Sequence, residues 1–500
     1  MTETALIRYP TALPVKAQAL ANRNWKGVVL HAVTVACVIL LYLSIDSPSA
    51  VLILGGSLMF LTYFIIALRE SRREPLWFTP LSFYFYWYTV GFGLSAIYTG
   101  IVLLSEEFIS FAVAEVPAKD IATGYVISLI GSLALHTGLQ LNRPVHTDKP
   151  LRHHLQGRND YLVFISVLWI IGILAKVKPS LFSPLGALAN PLQWVAIASL
   201  STLALTSLAK LKLSKLIFAA LLIIGVVGLT FTSLEANSKA AVMYSFFPII
   251  WLFLINPPLR KWLLPLVVGL AVFYFVLVAP LIMSSRQEQL LEGESSSERI
   301  IRTFQSGSYN AERNSAANEE GQIAAFLSRQ FDPIPVSFLV GEVSEYGLQL
   351  GETMDYAAYA FVPRILWRDK PTVTRGAWFA TYLGFATSEE ESTTSIGITA
   401  TGELYWNFGI IGVIAGMFTL GVLISGLWRL AGTDPRNKPF HMILYCMVML
   451  GMPDMPEAVT VFVSIIINFL IFKTLFFFIE RRNSKPGRSR AVAASTVATR

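Results

Sequence analysis

Between positions 284 and 402 the chain carries side chains suited to chemistry on an anionic substrate. Arg286 follows an apolar run, Arg329 stands in FLSRQFDP, and Arg364 opens the basic part of FVPRILWRDKP, followed by Arg368, Lys370 and then Arg375. A guanidinium binds phosphate oxygens through paired N–H donors, so arginines beside apolar sequence suit a phosphorylated, lipid-borne ligand. The plain alternative is interfacial side chains paired with nearby acids. Asp332 and Glu403 are the carboxylates close to these bases. Either could accept a proton, although Asp332 could equally pair with Arg329. Glu403 opens an apolar run, where a helix N-terminus favours a negative charge whether or not it reacts. No Walker A sequence, dinucleotide-binding glycine fingerprint, HExxH or nucleophile elbow occurs anywhere in the chain.

The elements that must position these residues are mostly apolar. The chain has 500 residues, 54% hydrophobic and only 14% charged, with a mean hydropathy of +0.57. Globular domains carry roughly 25% charged residues. Apolar runs of about 20 residues read as membrane-spanning helices. Twelve are expected, at 27–45, 49–68, 76–104, 121–141, 161–177, 185–209, 216–231, 240–255, 262–283, 403–428, 440–452 and 458–479. The weakest is 440–452, which ends in GMPDMPEA and could form a re-entrant turn. The first run is long for a signal peptide and has no cleavage pattern after it, so it reads as a retained helix.

Charge distribution orients this arrangement. With the N-terminus in the cytoplasm, the inner segments hold 25 of the 39 lysines and arginines and the short outer loops hold 4. That asymmetry is the positive-inside pattern. It predicts an all-α polytopic membrane protein with both termini cytoplasmic. A cytoplasmic tail covers 1–26, nine helices lie in 27–283, a large outer loop covers 284–402, three helices lie in 403–479, and a basic tail covers 480–500. The outer loop has 16 acids and 9 bases, so the overall charge of +7 arises from the inner loops and tails. The basic tail suits anionic lipid headgroups, and nucleic acid is not expected as a partner.

The loop divides into a Ser-, Glu-, Asn- and Gln-rich part, 284–322, and a more apolar part, 323–367, punctuated by prolines and expected to form short helices at the membrane surface. On this topology all six histidines lie on the cytoplasmic side. A base acting outside must then be a carboxylate, tyrosine or lysine. Cys37 and Cys446 fall in apolar runs and read as small buried hydrophobes. Gly412 and Gly416 form a GxxxG expected to allow close helix packing. The aromatic run at 83–88 reads as core or interfacial belt.

Two segments carry a family resemblance. One contains Pro363, Arg364, Trp367, Lys370 and Pro371. The other contains Gly402, Glu403, Tyr405, Asn407, Phe408 and Gly409. In this order, on the outer side of a many-span protein, they resemble the Wzy-type oligosaccharide repeat unit polymerases of bacterial O-antigen and exopolysaccharide assembly. The close resemblance covers about 329 to 416, and the remainder agrees in hydropathy and span number. It implies an enzyme of the bacterial inner membrane that transfers a growing glycan from undecaprenyl diphosphate onto a new lipid-linked repeat unit. It also implies glycosyl transfer without a metal or cofactor, in keeping with the lack of a DxD-type acidic pair in the loop. Arg286, Arg329, Arg364 and Lys370 would hold the diphosphate, Glu403 or Asp332 would act as base or orient the acceptor, and Tyr405 and Asn407 would shape the pocket. A flippase delivers the repeat unit in such systems, and a chain-length regulator is a further possible partner.

Two other activities compete. An O-antigen ligase typically relies on a histidine in the outer loop, which this chain lacks. A transporter or flippase usually shows internal repeats and polar, broken helices at mid-membrane, whereas here the polar residues are concentrated outside the spans.

Overall fold

The structure is a computed structural model. It describes residues 34–35, 37–74, 76–111, 114–141, 158–178, 180–182, 192–205, 214–235, 239–287, 296–307, 322–360, 362, 366–367, 369, 375–384, 387–388, 396–432, 439–450, 465–468, 470–471 and 474. Helix dominates. Among the described residues, five helices are long and apolar enough to cross a membrane: Pro48–Arg73, Ala118–Leu141, Lys215–Leu234, Leu263–Ile282 and Ala400–Ala431. Shorter apolar helices occupy Ile165–Val177, Trp194–Leu205, Ala241–Ile255 and His441–Leu450. The expected run at 76–104 is a continuous helical stretch in which Pro80–Tyr88 passes through a π-helical segment, Thr89–Leu94, into Ser95–Val102. Of the expected span at 27–45, residues 34–35 and 37–45 are described, with helix at 37–43, whereas the span at 458–479 lies largely outside the described residues, as does the GMPDMPEA segment.

The surface of these helices explains their stability. The helix Leu263–Phe273 buries none of its residues, and Leu54, Leu61 and Ile224 are exposed on others. Such a surface has no hydrophobic penalty in lipid, where a helix also satisfies its own backbone hydrogen bonds. The molecule is therefore a mainly helical membrane protein.

The all-α expectation needs one correction. Phe108–Phe111 and Ala114–Pro117 form an antiparallel pair, with Ile109 opposite Val116 and Phe111 opposite Ala114. Isoleucine, valine and phenylalanine favour a pleated backbone. The pair lies at the entrance to the helix Ala118–Leu141, where Ala118 N–H donates to the Glu107 carbonyl at 2.9 Å.

Ala118–Leu141 is the central helix, and glycines seven residues apart let its neighbours approach its backbone. A Cβ placed on Gly124 would stand 2.5 Å from the backbone of Ser337, in the helix Ile334–Tyr346. One on Gly131 would meet Thr401 Oγ1 at 2.8 Å. One on Gly138 would stand 2.2 Å from the Phe418 carbonyl oxygen, and one on Gly421 would stand 2.3 Å from that of Leu135. The helices Ala118–Leu141 and Ala400–Ala431 thus cross with their backbones in contact, as small residues allow.

The helix Ala400–Ala431 is broken at Gly409, whose φ of 63° and ψ of −159° lie outside helical space. That region is essentially restricted to glycine. The chain turns back on itself there. Leu404 packs within 2.5 Å of a Cβ position on Gly416, and Phe408 within 2.3 Å of one on Gly412. The GxxxG therefore receives the preceding part of its own helix. Residues 410–431 alone would still extend about 33 Å as a helix, more than a hydrocarbon core of about 30 Å.

Candidate functional site

In the short segment Ala400–Phe408 before the break, Glu403 and Asn407 of GELYWNFG stand four apart and so on one helical face. Its start is fixed by Thr399, whose hydroxyl accepts from Gly402 N–H at 3.1 Å. Thr399 itself has φ 66° and ψ 154°, a strained position for a β-branched residue that costs about 1–3 kcal/mol. The end of the segment is fixed by another chain segment. The carbonyls of Trp406 and Asn407 lose helical partners at the break and accept instead from Gln349 N–H at 3.0 Å and Leu350 N–H at 3.1 Å. The Asn407 side chain completes this junction. Its Oδ1 accepts from Gly351 N–H at 2.9 Å, and its Nδ2 donates to Thr353 Oγ1 at 2.7 Å and to the Glu403 carbonyl at 2.8 Å.

This junction brings Tyr356 to Glu403. The Tyr356 hydroxyl donates to Glu403 Oε2 at 2.7 Å, and Arg375 donates from a terminal nitrogen to Oε1 at 2.9 Å. Glu403 and Arg375 are 2% and 7% exposed, so the ion pair is almost dry. The guanidinium carbon lies 4.0 Å from the Trp378 ring centre and 4.8 Å from that of Tyr356. Two rings therefore give it cation–π contact. Among the described residues the buried Arg375 Nε–H has no hydrogen-bond partner. Both carboxylate oxygens are hydrogen-bonded, and the arginine has donor capacity to spare.

Aromatic rings continue from this pair. Trp378 lies 5.8 Å from Trp406 and 5.9 Å from Tyr382, and Tyr382 lies 5.2 Å from Trp406. The Tyr382 hydroxyl donates to Glu342 Oε2. Burial, then the Glu342 carboxylate, push the Tyr382 hydroxyl well above the usual tyrosine range, so it remains a donor at neutral pH.

The residues proposed from sequence are not gathered in one place. Glu403 and Asn407 belong to this cluster. Tyr405 is half-buried on another side of the same segment, near Asp120 and Tyr42. Asp332 lies against the π-helical segment Thr89–Leu94, with its Oδ2 2.7 Å from a Cβ position on Gly91. Arg329 is exposed at the end of the helix Gln322–Arg329, which sits through Phe326 on Tyr274 and Phe275. The partners of Glu403 are Tyr356 and Arg375 rather than either of these. Arg286 ends the apolar helix Ala279–Gln287, and its side chain is outside the described residues. Arg364 and Lys370 are also outside them. Sequence reading missed the roles of Arg375 and Tyr356. Arg375 has the same signal as Arg364, a basic residue beside aromatic sequence, in RGAWFATY. Tyr356, in MDYAAYAF, has no such signal. No group of three or more His, Cys, Asp or Glu side chains among the described residues is placed to hold a metal ion.

The site lies within the stretch of the chain that matches a protein family. A family described as Domain of unknown function (DUF8712) matches residues 75–433, which include the helix Ala400–Ala431, and the chain belongs to that family. No curated protein and no solved structure matches the chain.

Proposed function

We propose that this member of the family is an oligosaccharide repeat unit polymerase of the bacterial inner membrane, a metal-independent integral-membrane glycosyltransferase. Its topology would be twelve spans with both termini cytoplasmic and residues 284–402 in the periplasm, a reading supported by the charge distribution. The observation that carries the functional reading is the buried Glu403–Arg375–Tyr356 cluster. It stands within the stretch that resembles the polymerases, beside aromatic rings, at the head of a membrane-length helix.

The proposed donor is a growing glycan on undecaprenyl diphosphate, and the acceptor is a new lipid-linked unit. The acceptor hydroxyl oxygen forms a bond to the donor's anomeric carbon as the bond from that carbon to the diphosphate oxygen breaks. The electron pair leaves with the diphosphate, and the hydroxyl proton passes to a carboxylate, Glu403 or Asp332. Because the diphosphate linkage is already activated, no nucleotide is required. Arg286, Arg329, Arg364 and Lys370 would bind the diphosphate, and the spare Arg375 Nε–H would add a donor where charge develops. Each Glu403 oxygen accepts one hydrogen bond and keeps a lone pair that can take the proton; rotation of the Tyr356 hydroxyl would open Oε2 further. Tyr405 and Asn407 would shape and hold the pocket.

The break at Gly409 favours a second reading, transport, because transporters use interrupted helices to form polar sites. Deleting the gene and resolving surface glycan on a gel separates these activities. A polymerase predicts loss of the ladder with a single repeat unit still attached. Loss of all attached glycan would overturn the polymerase in favour of a flippase or ligase. In the complemented strain, Arg364→Ala should abolish long chains while the protein stays in the membrane.

A further inference from the structure

The broken helix and the segment docked on it present a joint apolar surface. Leu350 is 78% exposed and Ile411 is 81% exposed, and Leu348, Phe408 and Ile414 are exposed as well. These residues form one patch. Leu348 packs 3.8 Å from a Cβ position on Gly409, and the Phe408 ring lies 3.6 Å from one on Gly351. Leu350 is held outward by its own backbone, since its N–H is bonded to the Asn407 carbonyl at 3.1 Å and its φ is 49°. A non-glycine residue in that conformation is uncommon, and here it directs a leucine away from the protein. Soluble proteins seldom expose contiguous apolar patches of this kind.

What covers the patch follows from its continuity. Ile411 and Ile414 belong to the apolar, membrane-length helix that continues to Ala431, and further along it Leu423 and Leu430 are exposed too. Leu348 and Leu350 extend that surface beyond the break, between the exposed acids Glu345 and Glu352. We infer that the tip of the 347–354 segment is immersed in the bilayer, with acyl chains in contact with Leu348, Leu350 and Phe408. Backbone outside regular helix tolerates that depth because its polar groups are satisfied by protein, as the bonds from Gln349, Leu350 and Gly351 to the broken helix provide. The Glu403 cluster, joined to this segment through Asn407, then borders the membrane, and a lipid-borne ligand would approach it sideways from the bilayer. The immersion itself does not depend on the activity proposed above.

Spin labelling tests it. Leu350→Cys, and separately Leu348→Cys, would be made in a chain whose Cys37 and Cys446 are replaced by alanine, labelled with a nitroxide and reconstituted in phosphatidylcholine–phosphatidylglycerol vesicles. Ile411→Cys gives the lipid-facing reference, and Glu345→Cys, on the exposed end of the helix Ile334–Tyr346, gives the loop-side reference. Immersion predicts that labels at 348 and 350 collide several times more often with oxygen, which partitions into lipid, than with a water-soluble nickel chelate, as at 411. A preference for the nickel chelate would place the segment in water and overturn the inference. Protection from both reagents would also overturn it, by showing that protein, such as a second copy of the chain, covers the patch.

Discussion

The Arg375–Glu403 pair raises a question that stability alone does not answer. A buried pair gains little over apolar residues of the same shape, yet losing one partner leaves an uncompensated charge. Arg375→Ala should therefore cost about 3–5 kcal/mol, measured as earlier loss of the monodisperse species on heating in detergent. The double substitution Arg375→Met with Glu403→Leu removes both charges and should recover most of that stability. If the pair serves only the fold, the double variant will support a normal glycan ladder. If Glu403 takes a proton and Arg375 steadies the departing charge, it will be stable and make no ladder. Tyr356→Phe divides the question further. It removes one donor to the carboxylate, at 2.7 Å, and should cost about 1.5–3 kcal/mol, leaving the ion pair in place.

At the scale of elements, the glycines of the central helix determine how closely the site's supports can approach. Gly138→Ala puts a methyl group 2.2 Å from the Phe418 carbonyl oxygen, and neither backbone can rotate out of the way. The two helices would have to separate, so accumulation in the membrane should fall sharply on immunoblot. Gly269→Ala is the contrasting case, since nothing lies within 4 Å of its Cβ position. It should be neutral or slightly stabilising, by up to about 1 kcal/mol from helix propensity. The positions of most apolar helices were legible because long uncharged runs have few other stable forms in lipid. The heptad of glycines was present in the sequence, at 124, 131 and 138, but its meaning depended on which helices would cross. Gly409 was not legible as a break because FGIIGVIAG reads as uninterrupted span. The strands 108–111 and 114–117 were hidden in a short connection between spans. The Arg375–Glu403 contact joins residues 28 apart through intervening loops, which local sequence does not reveal, whereas Glu403 stood out as a carboxylate at the start of an apolar run and Asn407 through the resemblance carried by GELYWNFG.

At the scale of the whole molecule, the site's chemistry depends on which side of the membrane the 284–402 segment faces. The inner segments of the expected topology hold 25 basic residues, against 4 in the short outer loops. This imbalance sets orientation during insertion, and because acidic residues contribute little to it, the net negative charge of the long loop does not oppose it. A donor linked to undecaprenyl diphosphate reaches the Glu403 cluster only if that cluster and the substrate's headgroup share a side. Glu345→Cys, in the chain lacking Cys37 and Cys446, reports the loop, and Ser484→Cys reports the basic tail. In spheroplasts, a membrane-impermeant maleimide should label position 345 at once and position 484 only after lysis. If 345 is labelled only after lysis, the loop faces the cytoplasm, and the Glu403 cluster has no access to a substrate presented on the opposite leaflet. That result would overturn the proposed periplasmic polymerisation while leaving the ion pair, the break at Gly409 and their stabilities unchanged.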